Sequence, residues 1–201
     1  MKFYESGDSS KPVIFLFPGT CCLYSSFDHV LDGLHSYFYT VTVSYDGFDP
    51  NEKTEFYSME DECEKIEQEI KKKYCGRIKA AYGCSLGGSL VSLLIQRKRI
   101  HIEHGIIGSS DMDEAGNLVA KIQASMVVPF MYKMAHTGAL PKFMQKKLNK
   151  TDEAKKELYN GFLNMFGIGK GGSPWITKQS IYNQFYSDLV TKVQHGIDVP
   201  G

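Results

Sequence analysis

No stretch of the 201-residue chain is apolar for long enough to cross a bilayer, which takes about 20 residues. The first residues, Met1-Lys2-Phe3-Tyr4-Glu5-Ser6-Gly7-Asp8, hold no apolar segment of the kind a signal peptide needs. Net charge is also missing. Lys and Arg number 23, Asp and Glu number 23, so the overall balance favours neither nucleic acid nor an anionic membrane as partner. Cysteine is sparse, at Cys21, Cys22, Cys63, Cys75 and Cys84. The number is odd, two are adjacent, and no pair at metal-ligand spacing is joined to a second pair. Reduced thiols in a reducing compartment are the reading, with a cytoplasmic location as default and no metal or cofactor expected. Internal repeats and low-complexity tracts are absent too.

What the chain does have is Gly83-Cys84-Ser85-Leu86-Gly87, a G-x-S-x-G pattern in an informative setting. Upstream, Ile78-Lys79-Ala80-Ala81-Tyr82 reads as a buried strand. Downstream, Gly88-Ser89-Leu90-Val91-Ser92-Leu93-Leu94-Ile95 is small and apolar, then Gln96-Arg97-Lys98-Arg99 is polar, as in a helix packed on a sheet with cations at its end. A serine at a strand-to-helix turn is forced into a strained conformation that lifts its hydroxyl over the sheet edge. Gly83 and Gly87 flank it where a side chain would collide with a neighbouring element. The free N–H groups of the following helix point at the reacting centre and stabilise negative charge there.

The remaining elements alternate. Lys2–Glu5 forms a short strand, Val13–Phe17 a strand buried on both faces, and Phe38–Tyr45 another. Ser25 or Ser26 caps a helix that carries Phe27, Val30, Leu31 and Leu34 on one face. Ser58 caps a helix to Tyr74, with acids in its first turns, Met59, Cys63, Ile66 and Ile70 as its buried stripe, and Lys71-Lys72-Lys73 as a solvated end. A last short strand lies within Ile102–Ser110. This grammar is that of an α/β fold with an open, mostly parallel sheet and helices on both faces. After Asp111 no strand signal remains. Leu118–Tyr132, Pro141–Leu148, Thr151–Phe166 and Pro174–Val193 read as helices, the last capped by Ser173 with Pro174 at its first position. Gly167 to Gly172 is read as a connector, because no strand precedes it as a phosphate loop requires.

Carried by the serine turn and by Phe17-Pro18-Gly19-Thr20, the stretch from Met1 to Ser110 resembles the α/β-hydrolase superfamily. The resemblance implies a core over residues 1–110, a helical cap over 111–199, and residues 200–201 as the start of a further core segment. It implies Ser85 as nucleophile, and the backbone N–H groups of Leu86 and Thr20 as the oxyanion hole. Pro18 stands where many members have a histidine. The apolar cap side chains Met126, Phe130, Met131, Met134, Phe143, Met144, Phe162, Met165 and Phe166 offer a wall for an acyl group. The implied activity is that of a serine hydrolase acting on a small ester, thioester or related acyl substrate through an acyl-enzyme.

The family's acid and histidine are expected on strands after the cap, and here they have no clear counterpart. His29, His35, His101 and His104 stand apart; only His136 and His195 follow Ser85 at a distance from which they would fold back. Asp188 and His195 have the right order but lie seven residues apart on or beside one helix, about 10 Å. Asp111 is the better-placed acid by position. Two further readings stay open. One is a binding or sensing protein that keeps the pocket without a base; the other uses Cys84 or Cys21 as nucleophile. From the missing strands, the sequence predicts that these residues belong to a longer hydrolase, and that the strand around Ile106 is left as an apolar edge.

Overall fold

The computed structural model describes residues 1–110, 114–140, 142, 146, 152, 155, 157, 160, 163–164, 171–194 and 196. Strands β1 (Lys2–Ser6) and β2 (Val13–Phe17) lead to a 3₁₀ turn (Tyr24–Phe27) and α1 (Asp28–His35). Then come β3 (Tyr39–Ser44), α2 (Met59–Tyr74), β4 (Arg77–Cys84), α3 (Leu86–Arg97) and β5 (His101–Gly108). Helices α4 (Asn117–Thr137) and α5 (Lys178–Val190) complete the described elements. The strands make one sheet in the order β1-β3-β2-β4-β5. Only β1 is antiparallel, paired to β3; the other three pairings are parallel. The mostly parallel α/β architecture expected from the alternating pattern is the one observed.

Each face of the sheet is covered because each central strand is apolar on both sides. On one face Phe15, Phe17, Val41 and Val43 meet the stripe Met59, Cys63, Ile66 and Ile70 of α2 and Leu86, Leu90 and Leu94 of α3, all fully buried. On the other, Ile14, Leu16 and Ala80 meet Phe27, Leu31 and Leu34. The start of α2 follows its sequence signals: the Ser58 hydroxyl accepts the Asp61 N–H at 3.1 Å, the exchange that satisfies an otherwise unpaired donor. Its Lys71-Lys72-Lys73 end is exposed.

Two acidic residues of α2, Glu62 and Glu67, lie inside. Glu62 is buried under the end of β3, where it accepts the Asp46 N–H at 3.2 Å. Lys65 pairs with Asp46 and, at 3.3 Å, with Glu62. Burial, and then the neighbouring Asp46 carboxylate, push Glu62 up to about 7.

Two expected helix starts differ. Ser25 and Ser26 fall inside the 3₁₀ turn, and α1 begins at Asp28 with no side-chain cap. The apolar Phe27 needs burial against Tyr82, and the tight turn supplies it. The last helix starts at Lys178, capped by Thr177, whose hydroxyl accepts the Ser180 N–H at 3.0 Å. Ser173 and Pro174 precede it in a turn that buries Ile176 and lets the Trp175 indole N–H donate to the Phe48 carbonyl. Most of the expected helices over 141–148 and 151–166, and all of the glycine stretch 167–170, lie outside the described residues.

Strand β5 forms one edge of the sheet. Its inner side pairs with β4 from Arg77↔His101 to Cys84↔Gly108. Among the described residues nothing pairs with its outer side, and Ile106 and Ile107 remain 47% and 42% exposed.

A serine turn at the end of β4 and the loop beside it

Ser85 joins β4 directly to α3 at φ 53°, ψ −122°, a region that non-glycine residues rarely occupy. The turn is held from both sides. The Ser85 N–H donates to the Gly108 carbonyl at 2.8 Å, and the Ser85 carbonyl accepts from the Gly88 N–H at 2.7 Å and the Ser89 N–H at 3.2 Å. Side chains on the flanking glycines would not fit. A β-carbon on Gly83 would lie 2.0 Å from the Gly87 carbonyl oxygen, and one on Gly87 would lie 2.1 Å from the Phe17 carbonyl oxygen. So held, Ser85 is exposed while Leu86 behind it is fully buried.

The loop after β2 runs alongside. The position of a β-carbon on Gly19 is 3.5 Å from the Ser85 β-carbon. Three consecutive amides of this loop have different fates. The Cys22 N–H turns back to the Gly19 carbonyl at 3.0 Å. The Cys21 N–H, on a residue at φ 60°, donates to Oε1 of Gln184 at 2.8 Å. The Thr20 N–H makes no hydrogen bond among the described residues, nor does that of Leu86 at the first position of α3. Thr20 and Leu86 thus carry open amides, that of Leu86 directly after the serine at a helix N-terminus whose dipole favours negative charge.

Two residues outside any motif hold this loop. The buried Tyr45 hydroxyl donates to the Pro18 carbonyl at 2.9 Å, and burial raises its ionisation well above the ordinary tyrosine value. Gln184, fully buried on α5, takes the Cys21 N–H. Its other amide atom, Nε2, is buried without a partner among the described residues. Asp188 lies one helical turn further along α5 and acts electrostatically on Tyr45, so the helix brings it toward the same loop.

Of the other expected site residues, Asp111 and His195 lie outside the described residues. Ser85 Oγ has no hydrogen-bond partner among the described residues. His35 is engaged with Ser6 and Thr40 at the far end of the sheet. His101 and His104 sit on β5 opposite Arg77 and Ala80, so even His104 is four strand positions from the turn, about 13 Å. His29 is exposed on α1, and His136 stacks on Tyr132 within α4. The thiols near the turn stay protonated. Burial raises Cys21 and Cys84, and burial with the neighbouring Cys84 pushes Cys22 up to about 12, which disfavours the thiolate that nucleophilic attack needs. No group of three or more His, Cys, Asp or Glu among the described residues is arranged to hold a metal ion.

No protein-family model and no curated protein matches this chain. Solved structures do. A proposed α/β hydrolase family protein from Desulfitobacterium hafniense aligns with a TM-score of 0.69 at 16% identity, over 94% of this chain and 72% of that one. A carboxylesterase of the thaumarchaeon Nitrososphaera gargenis aligns with a TM-score of 0.66 at 13% identity, over 95% of this chain and 68% of its own. The enol-lactonase of Burkholderia xenovorans LB400 gives 0.64 at 12% identity, over 96% and 70%. At these identities the likeness is one of architecture, and the chain has the α/β-hydrolase fold.

Proposed function

We propose that the chain is a serine hydrolase that cleaves a small ester, thioester or related acyl substrate through an acyl-enzyme on Ser85. One observation carries this reading. A strained, exposed serine is followed by the open amide of Leu86 and lies beside the loop that carries the open amide of Thr20, on a fold that esterases and a lactonase share. In the proposed step the Ser85 hydroxyl attacks the acyl carbon, the carbonyl oxygen takes the negative charge, and the two N–H groups stabilise it. The hydroxyl proton passes to a base, which hands it to the departing alcohol or thiol as the carbonyl re-forms, and water then frees the acid from Ser85; within these residues His195 is the base to test first. No cofactor enters the scheme.

A fluorophosphonate probe tests it. Covalent labelling of the folded chain, absent in Ser85→Ala, is the expected result, together with Ser85-dependent hydrolysis of p-nitrophenyl acetate. A folded chain that leaves the probe unreacted favours the second reading, a binding protein of the same fold. The missing partner of Ser85 Oγ among the described residues is the observation behind that alternative.

A further inference from the structure

Helix α4 is apolar on two sides. At about 100° per residue, Ala120, Ala124, Val128 and Ala135 fall on one side and are buried. Leu118, Val119, Ile122, Met126 and Phe130 fall within an arc of about 120° on the opposite side, and all five are exposed. Leu118 and Met126 reach 72% and 75% exposure. The first side is explained by packing against the rest of the protein. The second faces no described residue that covers it.

The charged side chains on α4 itself, Lys121 and Lys133, are of one sign. Residues 115–151 contain Lys121, Lys133, Lys142, Lys146, Lys147 and Lys150 and no Asp or Glu. Since the whole chain is neutral, its remainder carries the compensating acid, and the even balance conceals a segregated charge. Lys121, Lys133, Lys142 and Lys146 are exposed and make no ion pair among the described residues. Lys178, at the start of α5, lies 5.0 Å over the ring of Tyr132 and adds a cation at the same end of α4.

From this we infer that the outer face of α4 docks on an anionic lipid bilayer. An exposed apolar ridge flanked by lysines matches such a surface twice over. The apolar side chains enter the boundary between headgroups and acyl chains, and the lysines meet the lipid phosphates. A neutral or basic protein partner would leave the lysines unanswered. The helix lies in the plane of the interface and does not cross it, in keeping with the finding that no helix among the described residues is long and apolar enough to span.

Sedimentation of the full chain with unilamellar vesicles tests the inference. The expected result is binding to vesicles of equal parts phosphatidylcholine and phosphatidylglycerol, little binding to phosphatidylcholine alone, and release as salt shortens the reach of the charges. Leu118→Glu/Ile122→Glu/Met126→Glu replaces exposed side chains only and is expected to weaken binding by more than about tenfold. Lys121→Glu/Lys133→Glu/Lys142→Glu gives a second route to the same loss without touching the apolar ridge. Ser85→Ala is expected to bind as the unmodified chain does, so this test is independent of the proposed chemistry. Failure to sediment with anionic vesicles overturns the inference. So does binding that survives both triple substitutions in folded protein, or a dimer in solution that the first triple substitution dissociates while vesicles are ignored.

Discussion

At Ser85 the backbone stores strain for the sake of one hydroxyl. A non-glycine residue held in such a region costs about 1–3 kcal/mol, part of which a glycine would relieve at the expense of greater freedom in the unfolded chain. Ser85→Gly is therefore expected to raise the unfolding free energy by about 1 kcal/mol in a denaturant titration while abolishing fluorophosphonate labelling. Gln184 makes the opposite case. Gln184→Leu leaves the buried Cys21 N–H unpaired, a cost of about 1–3 kcal/mol, and frees the loop that carries Thr20. The expected outcome is a labelling rate at Ser85 reduced more than about tenfold, measured at a temperature where both forms are folded. These two residues also show what a sequence discloses. Ser85, Gly83 and Gly87 were legible because their constraint is local: three positions in five must satisfy one turn. Gln184 was not, because its partner is 163 residues away and a glutamine on a helix carries no pattern that points to a loop amide.

Among the elements, α2 is the one whose packing couples to acidity. Burial raises Glu62 to about 7, above its ordinary value of 4.5, so the folded chain holds this proton more tightly than the unfolded chain does. The resulting stability is fully present below the unfolded value and is lost as pH rises through about 7. Asp46 works the other way: burial raises it, but hydrogen bonds from Lys65 and the Met1 amine outweigh that and lower it overall. Its contribution is present above its unfolded value and lost as pH falls through the folded one. Glu62→Gln removes only the first effect. The variant is expected to melt at a higher temperature than the unmodified protein at pH 8 and at nearly the same temperature at about pH 4, below the unfolded value, by thermal circular dichroism at both. The bounds of α2 followed from its cap and its stripe. The start of α5 did not, since Ser173-Pro174 is the better local signal, and burial of Ile176 with the Trp175 hydrogen bond outweighs it. Local propensity decides where a helix stands free, and packing decides where it is docked.

At the scale of the sheet, β5 presents backbone donors and acceptors that no described residue pairs, with Ile106 and Ile107 exposed, an arrangement that templates association between sheets. Ile106→Lys is expected to lower concentration-dependent light scattering without loss of fold, because a lysine on an edge strand opposes pairing with another edge. The bond between Cys21 and Gln184 has a different kind of consequence, one of timing. Strands β2 and β4 and the serine turn can assemble from the first half of the chain. The loop that carries Thr20 takes its final shape only when α5 arrives and closes a contact of very long range, the kind that forms late in folding. On the proposed chemistry, labelling of Ser85 is therefore expected to need α5 and not the serine turn alone, and a chain ended before α5 is expected to react with the fluorophosphonate more slowly.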